Sequence, residues 1–342
     1  MFKKIFYIFA FTAVAFLIGG AFLPRYVHVE RSIEIGRPAS TVFVLLNSYK
    51  TFASWSPWAV RDPDAVYQYD GPASGVGARM SWSGDPRLVG SGWQEITESR
   101  PYELVRTHLD FDQQGQANAY FELSENAAGV HLTWGFDTDL TEGQGFMGGM
   151  LAKYFGLFFD KWIGSDYEQG LANLKVFAES LPKEDFSDLE VSVLDVDAVD
   201  ILYIPSGASQ DAGDIADALA AAYAEILDFI ELNHLAISGH RMAITRAWDE
   251  TGYRFDAAVP VAMQALELTG NIKAGQSPSG LSVRVIHKGP YHSMTPAYEK
   301  LAAYMAAHAL REGQVSWEYY VSDPAGTPAE ELLTYIFFQI AD

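Results

Sequence analysis

An α+β protein of two successive domains behind one apolar helix is what three features of the 342-residue sequence predict. Between Val27 and Asp137, short alternating segments follow one another across Gly and Asp turns and lead into a long stretch with apolar residues at helical spacing. Between Val191 and Ile340, an extended segment, a helix and two strands occur twice in the same order. Ahead of both, Ile5 to Leu23 is an almost unbroken apolar run behind Lys3 and Lys4. A chain of this length exceeds one typical core, and the expected divisions are residues 1–25, 26–180, a linker at 181–189, and 190–342.

The apolar run is long enough to cross a bilayer as a helix. A cleaved signal would have a shorter core and a small-x-small site; Gly19-Gly20-Ala21 supplies small residues, but Phe22-Leu23-Pro24 follows without a convincing site. The expectation is an uncleaved single-pass anchor in a bacterial-type inner membrane. Lysines precede the span and only Arg25 follows closely, which places the N-terminus in the cytoplasm and the body on the periplasmic or extracytoplasmic side.

Composition narrows the function. Hydrophobic residues make up 49% and aromatic ones 14%, enough to fill two cores and line pockets. A formal charge of −21, from 44 acidic and 23 basic side chains, argues against a nucleic-acid partner, which needs clustered Lys and Arg, and reads first as a well-solvated surface that would also favour cationic small molecules at long range. The absence of cysteine excludes disulfides, zinc–thiolate sites, iron–sulfur clusters and cysteine nucleophiles, and leaves the redox compartment open. No cofactor or metal is expected. Gly143-x-Gly145-x-x-Gly148 matches a dinucleotide fingerprint literally, but a linker and not a parallel strand follows its helix. Oligomeric state is not legible.

In the first domain, Val27 to Ile35 is β-rich, and Pro38 opens a short helix through Asn47. After Trp55-Ser56-Pro57-Trp58, strands are expected at 66–69, 76–82, 92–98, 103–111, 117–123 and 130–137 as an antiparallel meander. Val76, Ala78, Met80 and Trp82 share one face, as do Val130, Leu132, Trp134 and Phe136. One long helix over 149–179 should close the domain, with Leu151, Phe155, Phe158 and Trp162, then Leu171, Leu174 and Ala178, forming its apolar stripe.

This order of elements resembles the START-like, or polyketide cyclase and dehydrase, superfamily of helix-grip folds. The resemblance rests on Trp55-Ser56-Pro57-Trp58, Tyr69-Asp70-Gly71-Pro72, Gly75-Val76-Gly77-Ala78, the Gly90 to Trp93 turn and the helix ending Gly170-Leu171-Ala172-Asn173-Leu174-Lys175. It implies a deep cavity between sheet and helix that holds apolar or amphipathic ligands. Trp55, Trp82 and Trp134, with Trp58 and Trp93, are candidates for its lining, each also readable as a plain core aromatic.

The second domain is read as a duplicated β-α-β-β unit. Its first half is 191–205, 213–232, 238–248 and 253–262; its second is 282–288, 295–310, 315–321 and 332–340. Such halves pair about a pseudo-twofold axis and leave a groove. Within Trp317-Glu318-Tyr319-Tyr320, Glu318 and Tyr320 share a face and Trp317 and Tyr319 the other. A buried Glu318 would have a raised pKa and would suit a cation or a proton-transfer step, whereas strand glutamates are more often solvent-facing. On pattern alone both readings stand.

His287-Lys288-Gly289-Pro290-Tyr291, the Tyr298 to Tyr304 helix, Trp317-Glu318-x-Tyr320 and Asp323-Pro324 resemble the GyrI-like, or AraC effector-binding, small-molecule-binding domain. The resemblance implies that Glu318 lies at the floor of an aromatic groove, meeting lipophilic cations or, in hydrolytic members, serving as acid or base. Tyr320 follows by alternation, and Tyr291, Phe255, Trp248 and Tyr203 are further wall candidates. His287 could tune Glu318 or bind metal, although a lone histidine at a strand end is usually structural. The family's regulators carry a DNA-binding segment where this chain has its anchor and first domain.

The first expectation is a membrane-anchored protein that binds or hands over lipophilic or cationic small molecules or lipids. The alternatives are a small-molecule hydrolase using Glu318 and Tyr320, and a non-catalytic envelope interaction module.

Overall fold

The computed structural model describes residues 2–112, 115–262 and 267–341. They divide into two compact units, one running up to Asp185 together with Ala307–Ala309, the other formed by Phe186–Ala306 and Leu310 onward. Both are α+β, each built on one antiparallel sheet among the described residues.

The first unit opens with helix α1 (Phe2–Phe22), within which Lys4–Phe22 is long and apolar enough to cross a membrane by length and composition. Strand β1 (Tyr26–Ile35), short helices α2 (Ala39–Leu46), α3 (Phe52–Trp55) and α4 (Pro57–Arg61), and strands β2 (Val66–Asp70), β3 (Arg79–Ser83), β4 (Ser91–Arg100), β5 (Leu104–Asp110), β6 (Gln116–Asn126) and β7 (Gly129–Asp139) follow. The sheet runs β1-β7-β6-β5-β4-β3-β2, so β1 joins the meander as a seventh strand. Its inner face carries Val130, Leu132, Trp134 and Phe136 of β7 and Ala117, Ala119, Phe121 and Leu123 of β6, all buried at the expected two-residue period.

Two expectations are corrected here. Strand β3 starts at Arg79, because Gly77 takes φ +88°, so Val76 is exposed while Ala78, Met80 and Trp82 keep the inward face. The long helix is two helices, α5 (Phe146–Gly156) and α6 (Phe159–Ser180), separated at Leu157–Phe158. Helix α6 buries Tyr167, Leu171, Leu174 and Ala178 against the sheet. The upstream stripe of Leu151, Phe155, Phe158 and Trp162 is instead half-exposed. Its opposite side explains this: Gly149 lies against Thr141 and Gly156 against Leu140, and these small residues seat α5 on the end of the sheet while its large side chains point away.

The second unit contains β8 (Val191–Val196), β9 (Asp200–Ala208), α7 (Ala212–Leu232), β10 (Arg241–Asp249), β11 (Gly252–Pro260), β12 (Lys273–Gln276), β13 (Gly280–Lys288), α8 (Thr295–Ala307), β14 (Glu312–Tyr320) and β15 (Leu333–Ile340). The expected extended segment 191–205 is two strands, and β12 was not expected. Asp211 caps α7 by accepting from Gly213 N and Asp214 N.

The strand order β12-β9-β11-β10-β14-β15-β13-β8 places the β9-α7-β10-β11 and β13-α8-β14-β15 halves about a pseudo-twofold between β10 and β14. Strands β8 and β9 are consecutive in sequence yet stand eighth and second in the sheet. Six strand spacings in a flat sheet amount to about 29 Å. The link from Val196 to Asp200 reaches only about 15 Å, so the sheet must curl. The curl lets Met242, Ile244, Trp317 and Phe337 form a buried core on the face away from the helices. On the other face, α7 packs on Leu202, Phe255, Ala257 and Val259, and α8 on Val283, Val285 and Ile336.

Candidate functional site

Both faces of β14 are therefore covered, and Glu318 lies on the helix side. Antiparallel register sets it beside Ala243 of β10 and Ile336 of β15, and the small Ala243 leaves room for the carboxylate. Glu318 is 8% exposed. Tyr298 of α8 donates its hydroxyl to Oε1, and Tyr320 donates to Oε2 at 2.6 Å. Among the described residues no Lys or Arg forms an ion pair with it. Burial pushes the Glu318 carboxyl above its ordinary value, against the smaller downward pull of the two tyrosine hydroxyls and His287.

Aromatic rings surround this acid. Tyr291 meets Tyr320 edge-on at 5.2 Å, and Tyr223 of α7 does so at 6.4 Å while donating its hydroxyl to Met242 O at 2.8 Å. Burial and the Glu318 charge together raise the hydroxyl pKa of Tyr223, Tyr298 and Tyr320 well above the usual range. Phe255, 1% exposed, stacks on Tyr253 at 4.6 Å. Trp248 lies past a bulge in β10, 56% exposed, with its ring against Tyr253 at 5.1 Å; it stands at the outer end of this aromatic row and not at the carboxylate. Tyr203 is corrected: it pairs with Ala258 and belongs to the opposite face with Met242 and Trp317. His287 lies 3.3 Å from Pro290 O and 3.4 Å from Ser293 Oγ, within the Gly289-Pro290 turn. Among the described residues no group of three or more His, Cys, Asp or Glu is placed to hold a metal ion.

The first unit holds a separate cavity of about 290 Å³, close to the lower end of the range of small-molecule pockets. Trp58, Tyr67, Trp82, Phe111, Phe136 and Trp162 supply aromatic walls. Asp166 is its charged group, accepting from Trp58 Nε1 at 3.0 Å and pairing with Arg61. Of the tryptophans singled out from sequence, Trp58 and Trp82 line this cavity. Trp55 and Trp134 are buried around a smaller void of about 30 Å³, with Trp134 stacked on Tyr167 at 3.8 Å. Trp93 is not a lining residue: it stacks beneath the Arg79 guanidinium at 3.8 Å, out of the inward alternation of Gln94 and Ile96.

Sequence reasoning missed Tyr298, Tyr223 and Tyr253 around Glu318, and Tyr67, Phe111 and Asp166 in the cavity. A signal for Tyr298 existed: it neighbours Ala297, Leu301 and Met305 on the apolar face by which α8 packs on the Glu318 side of the sheet.

Residues 26–179 match the family model described as polyketide cyclase / dehydrase and lipid transport, and residues 192–341 the model described as a GyrI-like small molecule binding domain. Similar solved structures include a hydrolase from Listeria innocua, 13% identical over 46% of this chain and 95% of its own, TM-score 0.35. The EcmrR C-terminal domain is 16% identical over 45% of this chain and 99% of its own, TM-score 0.38. The di-domain ARO/CYC StfQ from the steffimycin biosynthetic pathway is 12% identical over 45% of this chain and 51% of its own, TM-score 0.35. No curated protein matches the chain.

Proposed function

The chain joins a polyketide cyclase / dehydrase and lipid transport domain to a GyrI-like small-molecule-binding domain, and from that premise we propose that it is a membrane-anchored binding protein for lipophilic small molecules, its second domain taking lipophilic cations at Glu318. The observation that carries the reading is a buried carboxylate held by two tyrosine hydroxyls, ringed by Tyr223 and Tyr291, and without a basic ion-pair partner among the described residues. Such an acid is costly to charge by itself, and a delocalised cation entering among the rings offsets that cost by Coulomb attraction and cation–π contact. The first-domain cavity, walled by aromatics, takes apolar ligands. Helix α1 carries both domains at a bilayer, with the body extracytoplasmic.

The test is a titration of the full chain in lipid nanodiscs with tetraphenylphosphonium, and with tetraphenylborate as the oppositely charged control. The cation binds saturably, and Glu318→Gln weakens it by about tenfold or more, the equivalent of at least one lost charge contact. Unchanged binding in the variant would sink the reading. A second reading, hydrolysis with Glu318 as general acid or base and Tyr320 orienting water, draws on the same raised carboxyl. Turnover of an electrophilic small molecule that Glu318→Gln abolishes would replace binding as the function.

A further inference from the structure

We propose that α5 and its junction with α6 form a second membrane-contacting element, lying in the headgroup and acyl boundary of the bilayer that α1 crosses, so that the first-unit cavity opens at lipid. This rests on the reading of α1 as a membrane span and adds a face outside it. Met147, Leu151, Phe155, Phe158 and Trp162 follow one another three or four residues apart, and all are at least half-exposed. Five large apolar side chains in one row form a contiguous exposed patch of the kind that marks an interaction surface.

Charge and depth identify the occupant as a bilayer. In a chain with 44 acidic residues, Gln144 to Phe159 contains none, and Lys153 is its one charged side chain. Helix α5 packs along α1: Tyr154 donates its hydroxyl to Phe16 O at 2.7 Å, its ring stacks on that of Phe16 at 4.6 Å, and Lys153 Nζ reaches Gly20 O at 3.3 Å. Phe16 lies six residues before the end of α1, about 9 Å along a helix axis. The segment leading into α5 begins at the level where α1 ends, because Leu140 N donates to Arg25 O at 3.0 Å. A span that carries Phe16 into hydrocarbon therefore carries Tyr154 with it, within the depth of about 5–10 Å at which interfacial amphipathic helices lie. The exposed row then faces acyl chains. It ends on Trp162, which stacks with Phe158 at 5.5 Å and lines the 290 Å³ cavity, so the row leads from lipid to the cavity wall.

The native chain has no cysteine, so a single introduced thiol reports one position. Full-length Leu151→Cys, Phe155→Cys, Ile18→Cys in α1 and Leu232→Cys on the exposed surface of the second unit are each labelled with an environment-sensitive fluorophore and reconstituted in phosphatidylcholine vesicles with brominated acyl chains. Quenching at 151, 155 and 18 but not at 232 is expected. Quenching at 18 alone overturns the proposal and leaves the span standing. Quenching at 151 and 155 without 18 rejects the span and overturns the proposal that α5 lies beside a membrane-crossing α1. No quenching at any of these positions overturns both. A blue shift at 151 and 155 without quenching means that protein, such as a second copy of the chain, covers the face, and overturns the proposal.

Discussion

Tyr320 donates its hydroxyl to Glu318 Oε2 at 2.6 Å although the two residues stand only two apart on one strand. Same-face neighbours of a strand lie about 7 Å apart at their Cα atoms, so the tyrosine must lean back along β14 to reach the acid. Tyr298 closes the other oxygen from α8, and the carboxylate thus ties the sheet to its helix.

Removing that tie has a cost. Tyr298→Phe leaves a buried carboxylate oxygen short of a donor and should destabilise the second unit by about 1–3 kcal/mol. Tyr320→Phe should cost a similar amount, and the double variant less than the sum, because the two donors serve one group. Urea denaturation at pH 8 measures all three. A cost under about 0.5 kcal/mol for both single variants means that water already reaches the acid.

The raised Glu318 carboxyl predicts a pH dependence. An acid whose pKa is higher folded than unfolded binds its proton more tightly in the fold, so the stability present below its ordinary range is lost as pH rises through the folded value. Glu318→Gln lacks this titration. Thermal midpoints of the native chain and the variant, compared from pH 4.5 to 8, should diverge in the variant's favour as pH rises. A constant difference across that window contradicts the assignment.

Gly170 tests how tightly α6 grips the sheet. An alanine in a helix interior usually stabilises by about 1 kcal/mol relative to glycine. Here the added methyl would sit 2.7 Å from the Trp134 ring and 3.2 Å from Pro57 Cδ, and the Trp134 ring is held by its stack on Tyr167. Gly170→Ala should therefore destabilise, by about 1–3 kcal/mol. A rise in the melting midpoint would show that Trp134 yields easily.

Cavity occupancy can be separated from Glu318. Ile163→Trp places a bulky indole on the wall formed by Phe159, Trp162 and Ile163, and should weaken uptake of a neutral apolar fluorophore by about tenfold or more. Tetraphenylphosphonium affinity should be unchanged by it. Loss of both ligands together would mean that one site, not two, takes them.

Much of this was legible in sequence because the governing periodicities are local. A two-residue repeat put Glu318 and Tyr320 on one face and Trp317 on the other, and a short repeat of β-α-β-β announced the second sheet. The inward rows of β6 and β7 and the buried stripe of α6 follow the same logic. The Leu151 to Trp162 row is equally regular yet faces outward, because a helical period states which residues share a side and not what that side meets.

The sequence by itself determined the order of elements, the two-domain plan, the apolar first helix and the choice of Glu318 as the acid to watch. Only the tertiary structure decided that Tyr298 completes the carboxylate's hydrogen bonds, that the cavity wall runs through Tyr67, Phe111 and Asp166, and that α5 turns its large side chains away from the sheet. The reason is distance along the chain: Tyr298 and Glu318 meet across 20 residues, and Trp58 and Asp166 across 108. Such partners are chosen by how strands curl and helices cross, which no local period records.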